Sequence, residues 1–373
     1  MKKFLTWSLV STIILWQGLW AREPARAGLR DLGIVIGQLA PGPGNTITDV
    51  PGVLVGHCTI KRGEDIRTGV TAILPHGGNL FLEKVEGAVE VYNAFGKLAG
   101  STQVNELGEI ETPILLTNTL AVPRAADALI SYMLSLPGMQ DVVSINPLVA
   151  ETNDWWLNDI RARAVDEQDV YAAIEAANSG PVELGSVGAG TGTSCLGYKG
   201  GIGSASRVVD IEGHTYTLGV LVQTNFGGTL TIDGIRVRAD LKSDKTDRGG
   251  SCIIVLAIDA PVCHRNLRRL ARRSFAGMAR AGADFSNGSG DYAIAFTTHP
   301  DFRHAPEKGP YTRSRQPLEN NAMDGLFTAS IEATEEAIVS SILAATTVTG
   351  KNGHRREALD IEKLKAVLKR EHR

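Results

Sequence analysis

Apolar runs rich in β-branched residues, each bounded by turn residues, recur at 69–74, 114–116, 142–145, 218–222, 253–258 and 292–297, and they read as buried strands. Between them the apolar positions change to a three-and-four spacing at 88–98, 124–136, 170–177, 266–281 and 323–345, which predicts helices. The third of these stops before Gly180, as a helix end would. Blocks of helix alternating with blocks of strand predict an α+β domain in which helices cover packed sheets. The last segment, 357–373, is charged but spaces Leu359, Leu364 and Leu368 along one face, so an amphipathic helix packed on the surface is expected. Two polar, breaker-rich stretches, 240–250 and 303–321, are long enough to form flexible loops. No internal repeat emerges, and one mature domain is expected.

The amino terminus has a different pattern. Lys2 and Lys3 precede an apolar stretch over 4–20, and Ala25-Arg26-Ala27 has the small-x-small form of a signal peptidase site, with Ala21 as a competing cut. The expectation is a signal peptide over 1–27 and a mature periplasmic or secreted chain over 28–373. The alternative is an uncleaved anchor, because the run is near the minimum spanning length of about 17 residues. No later segment is apolar enough to span.

Composition narrows the class of partner. Of 373 residues, 43% are hydrophobic and 21% charged, the make-up of a globular protein. The 41 glycines fall between apolar runs and imply many tight turns. A net charge of -3 and a pI near 6.3 give no field to recruit nucleic acid or an anionic membrane. Arg265, Arg268, Arg269, Arg272 and Arg273 are interleaved with Leu267 and Leu270 at helical spacing, which describes a solvated helix face. Cys58, Cys195, Cys252 and Cys263 lack CxxC spacing and adjacent histidine pairs, so a zinc site is not indicated.

Several motifs fail on inspection. Residues 185–193 are glycine-rich, but no GxxxxGK[ST] follows and Thr193 occupies the last glycine of a GxGxxG register, so a nucleotide site is not expected. No GxSxG elbow and no HExxH is present. His57, embedded in apolar sequence, reads as a structural histidine.

The remaining signal is a serine. The polar stretch 240–248 runs through Gly249-Gly250 directly into Ser251-Cys252 and the apolar run behind them. If the bond before Ser251 were cut, its α-amine, with a reference pKa of about 7.7 to 8.0, would be a base suited to neutral pH. Nucleophile and base would then share one residue. Gly249 and Gly250 fit the cut, because glycines take strained positive-φ conformations and leave room for Ser251 Oγ to reach the Gly250 carbonyl. Cys252 is the rival nucleophile, but adjacent strand residues face opposite ways and only one can enter the site.

Around this serine the sequence resembles the self-processing aminopeptidases of the DmpA and BapA type, peptidase family S58, which includes β-peptidyl aminopeptidases and D-Ala esterase/amidases. The likeness runs over nearly the whole mature chain. It rests on Ile47-Thr-Asp-Val-Pro-Gly-Val53 with Val55-Gly-His57, Glu111-Thr-Pro-Ile-Leu-Leu-Thr-Asn-Thr-Leu-Ala-Val122 and Glu151-Thr-Asn-Asp154. Further matches are Gly188-Ala-Gly-Thr-Gly-Thr193, Gln223-Thr-Asn-Phe-Gly227, Gly249-Gly-Ser251 and Gly288-Ser-Gly-Asp291. The resemblance implies a four-layer αββα sandwich of the N-terminal nucleophile hydrolase type, cut between Gly250 and Ser251 into an α chain (28–250) and a β chain (251–373). It implies Ser251 as nucleophile and Asn225 as oxyanion donor, a role in which one N–H contributes about 3 kcal/mol. It further implies Glu151 as the carboxylate that holds the substrate's ammonium, and Ser289 and Asp291 as groups that relay protons and tune the Ser251 amine. The bland readings are a turn residue for Asn225, a helix N-terminal acid for Glu151 and a plain turn for 287–290. One departure stands out: where the family pattern has glycine after Glu151-Thr-Asn-Asp154, this chain has Trp155-Trp156. These tryptophans would narrow the acyl pocket and favour apolar first residues.

The expected substrates are short peptides, amides or esters with a free N-terminus, β-amino acids included. Neither metal nor organic cofactor is implied, because nucleophile, base and oxyanion donor are all protein groups. The family likeness implies homo-oligomers, tetramers of αβ heterodimers. The rival readings are an acyltransferase resembling the ornithine acetyltransferases, which use threonine, and a non-enzymatic periplasmic binding protein whose Gly-Gly-Ser is only a loop.

Overall fold

The computed structural model describes residues 26–237, 250–304 and 314–371. The signal segment up to residue 25, most of the 240–250 stretch with Gly249, and residues 305–313 of the second loop lie outside the described residues.

The principal strands are β1 (Leu54–Arg62), β2 (Ile66–Leu74), β3 (Lys84–Ala94), β4 (Leu98–Ala99), β5 (Ile114–Asn118), β6 (Leu148–Thr152), β7 (Ile202–Ile211), β8 (His214–Asn225), β9 (Ser251–Ile258) and β10 (Gly290–Thr297). The main helices are α1 (Val122–Ser135), α2 (Glu167–Glu175), α3 (His264–Ala281), α4 (Asp324–Ala344) and α5 (Ile361–Glu371). Among the described residues, one five-stranded sheet runs β1-β2-β5-β6-β4; a seven-stranded sheet runs β7-β8-β9-β10-β3, extended by short strands at β3.

Burial of both faces of the second sheet explains its unbroken apolar runs. In β9, Cys252, Ile254, Leu256 and Ile258 enter the core under α3 and α4, while Ile253, Val255 and Ala257 enter the core between the sheets. A third core places α1 and α2 on the far side of the first sheet. The order is therefore helices, sheet, sheet, helices: the αββα sandwich expected. The C-terminal helix joins the outer core through Leu359, Leu364 and Leu368.

Two elements differ from the sequence pattern. Residues 88–98 form the end of strand β3 and the loop to β4, not a helix. Ala88, Val91, Tyr92 and Phe95 fall at helical spacing there, while Glu86 and Glu90 alternate onto one face of the strand. Both are buried strand residues with cationic partners: Arg315 on Glu86 at 2.6 Å, and Arg268 and Arg272 on Glu90 at 2.7 Å each. The arginines of α3 are thus occupied by side chains of the same molecule, Arg273 lying over Phe327 at 3.5 Å. Residues 142–145 are irregular, with Val143 98% exposed. The strand position belongs to Leu148–Thr152, which pairs in parallel with β5 from Ile114↔Leu148.

A buried ion network closes the helix side. Arg207 is fully buried and its guanidinium meets Glu332 at 3.2 Å and Glu336 at 2.6 Å. Glu332 also accepts the N–H groups of Gln38 and Leu39, tying the N-terminal segment to α4.

Candidate active site

Three strands of the second sheet reach one rim together. Asn225, the last residue of β8, is in antiparallel register with Ser251, the first of β9, and Ser251 is in parallel register with Gly290, the first of β10. By strand alternation, Asn225 and Ser251 share the face that looks across to the first sheet. Beneath them Gln223 stitches the sheets, its Nε2 with two N–H donors lying 2.9–3.0 Å from Thr117 O, Thr152 Oγ1 and Ala189 O. The first sheet contributes the ends of β5 and β6, which carry Thr119 and Glu151.

These ends enclose a cavity of about 170 Å³ whose walls include Glu151, Thr119, Asn225, Gly250 and Ser251. The volume is below the 300–1,000 Å³ typical of drug-sized sites, so it suits one small acyl residue rather than a long chain. Phe95, Trp155, Trp156 and Phe226 also border it. Trp156 is held by stacking on His354, with ring centroids 3.8 Å apart and planes 7° apart. Trp155, set edge-on to Trp156, is 47% exposed and Phe95 is 74% exposed. An aromatic rim therefore surrounds a polar floor.

Ser251 is buried, and its Oγ lies 2.7 Å from the Gly250 carbonyl oxygen. That carbonyl also accepts the Gly290 N–H at 3.0 Å. The bond preceding the serine is therefore polarised by a backbone donor and flanked by a hydroxyl. Gly250 is not among the left-handed glycines. Its requirement is space: a Cβ there would sit 2.6 Å from Phe226 Cα and 2.8 Å from the Asn225 carbonyl oxygen. Cys252 faces the helix-side core, fully buried, where desolvation and then the nearby Asp291 push its thiol well above the ordinary range. It is no rival to the serine.

The Asn225 amide is fixed at both ends. Its Oδ1 accepts the Ser194 N–H at 3.0 Å and its Nδ2 donates to the Asn153 carbonyl at 2.9 Å. An amide NH₂ has two donors. With one on Asn153, the second remains for a developing negative charge in the cavity.

Glu151 is buried, and its carboxylate accepts the Lys97 N–H on Oε1 at 3.0 Å and the Thr119 hydroxyl on Oε2. Burial raises its pKa, opposed by the Thr119 hydroxyl and by the charge and N–H of Lys97. Among the described residues no lysine or arginine head group lies within 4.0 Å of it. A desolvated carboxylate without a paired cation can receive an ammonium group.

Ser289 and Asp291 stand behind this cavity, whose wall on that side is Gly288. Asp291 is in register with Cys252, on the opposite sheet face from Ser251. Its Oδ1 accepts the Ser289 hydroxyl at 2.8 Å and its Oδ2 accepts the Asn93 amide at 2.9 Å. Desolvation raises its pKa, and these two donors oppose the shift. The structure thus brings together Glu151, Asn225, Gly250 and Ser251, and places Ser289 and Asp291 as a bonded pair beside them.

His57 lies apart from this cavity with its Nδ1 2.9 Å from Thr71 Oγ1, and burial lowers its pKa to about 4, which fits a neutral structural histidine. All four cysteines are free thiols. Among the described residues no group of three or more His, Cys, Asp or Glu could hold a metal ion, and no helix is long and apolar enough to cross a membrane.

Lys97, Asn93 and Ser194 support the site without any mark in the sequence pattern. Thr119 and Asn153 lie within the motifs 111–122 and 151–154 that carry the family resemblance, and membership of those motifs was the available signal.

Fold and site together define a hydrolase of the N-terminal nucleophile type, and the comparisons agree. The chain belongs to peptidase family S58, whose family model matches residues 45–356, and it is an aminopeptidase. It is similar to beta-peptidyl aminopeptidase BapA of Sphingosinicella microcystinivorans, with 38% identity over 99% of this chain and 98% of the relative. Among solved structures it is similar to the PH0078 protein from Pyrococcus horikoshii OT3, with a TM-score of 0.88 and 45% identity over 93% of this chain and 100% of the other. It is also similar to the L-aminopeptidase D-Ala-esterase/amidase from Ochrobactrum anthropi, a serine aminopeptidase with a variant of the Ntn hydrolase fold. That likeness has a TM-score of 0.87 and 36% identity over 93% of this chain and 99% of the other.

Proposed function

We propose that this exported aminopeptidase cuts itself between Gly250 and Ser251 and then uses Ser251 to release N-terminal residues, β-amino acids included, from short peptides, amides and esters. The observation that carries the reading is the position of Ser251: head of a core strand, Oγ 2.7 Å from the Gly250 oxygen, in one cavity with Glu151 and Asn225.

In the self-cleavage, Ser251 Oγ adds to the Gly250 carbonyl carbon and the Gly290 N–H stabilises the oxygen that becomes negative. The C–N bond to Ser251 breaks as its nitrogen takes a proton, leaving an ester and a free amine. Water hydrolyses the ester to a Gly250 carboxylate and restores the hydroxyl. In turnover, the Ser251 amine takes the Oγ proton as Oγ attacks the substrate carbonyl. The free Asn225 N–H receives the oxyanion, the leaving amine is protonated, and water releases the acyl group. Glu151 pairs with the substrate's ammonium, and this anchors the carbonyl beside Oγ.

Two expected results test the parts. Gly250→Ala pushes a methyl group into the Phe226 and Asn225 backbone, so processing of the variant slows severalfold or stops, as followed by gel electrophoresis over time. Glu151→Gln lowers kcat/KM for a β-aminoacyl p-nitroanilide about 10- to 100-fold, the value of a charged hydrogen bond of about 1.5–3 kcal/mol. The N-acetylated substrate is inert with both enzymes. Hydrolysis of the acetylated compound at the rate of the free amine would remove Glu151 from this role and refute the aminopeptidase selectivity assigned to the site.

A further inference from the structure

Asn225 is held in place by main-chain groups at both ends of its amide. Its Oδ1 is gripped by the Ser194 N–H, at the start of a hairpin in which Ser194–Cys195 pairs with Tyr198–Lys199. The hairpin turns through Leu196 (φ 52°) and Gly197 (φ 86°), the left-handed pair of a tight two-residue connection. A second bond, from the Leu196 N–H to the Phe226 carbonyl at 2.8 Å, fastens it beside Asn225.

This hairpin is flanked by Gly188, Gly190 and Gly192 on one side and Gly200 and Gly201 on the other. Glycines allow close backbone approach: a Cβ on Gly190 would lie 2.5 Å from Ile202 N. They also supply no side chains to pack. Lys199 fills that deficit. Its side chain is fully buried, and Nζ donates to the Gly190 and Gly200 carbonyls, both at 2.8 Å. Those carbonyls lie before and after the hairpin, so one ammonium staples its two ends. Among the described residues no carboxylate oxygen comes within 4.0 Å of Nζ, although Asp154 is near enough to act on its charge. A buried lysine without an ion-pair partner is uncommon, and two of the three donors of this ammonium are taken by these carbonyls. Burial lowers its pKa to about 7.

We infer that Lys199 is a positioning residue for the oxyanion donor: by tying Gly190 to Gly200 it sets the Ser194 N–H, which orients the Asn225 amide so that one N–H faces the cavity. The inference rests on the reading of Asn225 as oxyanion donor. Lys199 touches neither substrate nor nucleophile, and acts through that amide.

The test is a double-mutant cycle in the processed enzyme, with kcat and KM measured on a β-aminoacyl p-nitroanilide. Lys199→Met lowers kcat about 10- to 100-fold, the range of direct coupling between linked residues, and leaves KM within about twofold. In the Asn225→Ala background the same substitution has little further effect. Lys199→Gln, which keeps a donor for one carbonyl, recovers part of the loss and serves in place of Lys199→Met if that variant does not fold. An unchanged kcat, or equal losses in both backgrounds, overturns the inference for Lys199 while leaving Asn225 in its role. An Asn225→Ala enzyme as fast as the parent would overturn the oxyanion reading, and the Lys199 inference with it.

Discussion

Ser251→Ala is expected to yield one folded, uncut chain with activity at least 10⁴-fold below that of the parent, consistent with the loss of a nucleophile on which a catalytic unit depends. The substitution removes a single oxygen. It leaves the strand registers Asn225↔Ser251 and Ser251↔Gly290, which are backbone pairings, unchanged. Thermal stability therefore stays close to that of the parent precursor. In the proposed mechanism both consequences have one cause, since the same Oγ opens the Gly250 bond and attacks the substrate. Electrophoresis under denaturing conditions reports the first, and initial rates on an aminoacyl p-nitroanilide report the second. A processed or active Ser251→Ala protein would place the nucleophile elsewhere.

Asn225→Ala is expected to separate the two reactions. In the proposed self-cleavage the developing oxyanion is that of Gly250, whose carbonyl accepts the Gly290 N–H at 3.0 Å, so the variant is expected still to process. The oxyanion formed in the proposed turnover depends on the second N–H of the Asn225 amide. Its loss lowers kcat about 10²- to 10³-fold, or about 2.7–4 kcal/mol, with KM little changed. Measuring the rate of chain appearance beside kcat distinguishes the two. Parallel failure of both would mean that Asn225 serves the cut as well, and normal turnover would remove it from the oxyanion site.

Much of this organisation was legible because the relevant residues follow backbone periodicity. Strands β9 and β10 are apolar on both faces, since each face meets a different core, and such runs are readable without a partner in view. Ser251 was visible as the junction of a polar stretch with such a run. Helix α3 was readable from its arginine face, although the partners of those arginines on β3 were not. The helix expected at 88–98 is strand instead because Ala88, Val91, Tyr92 and Phe95 match helical spacing while Tyr92 and Phe95 are exposed, and the partners that hold Glu86 and Glu90 of this strand, Arg315, Arg268 and Arg272, are distant in sequence.

The active-site supports were less legible. Asn93 serves Asp291 from a different strand, and Lys97 contributes a backbone N–H to Glu151, a contact that side-chain chemistry does not encode. Ser194 likewise holds Asn225 through its main chain. Lys199 carries no local mark of its burial, because its neighbours are glycines and its partners are carbonyls. Trp155 and Trp156 were recognised as a departure from the family pattern. That Trp156 is fixed by His354 depended on the fold bringing the C-terminal segment to the cavity.

Intact-mass analysis and N-terminal sequencing of the purified protein test the central claim most directly. The account predicts two chains, the smaller beginning Ser251-Cys252-Ile253. A folded, active protein consisting of one unbroken chain through Gly250-Ser251 would contradict it.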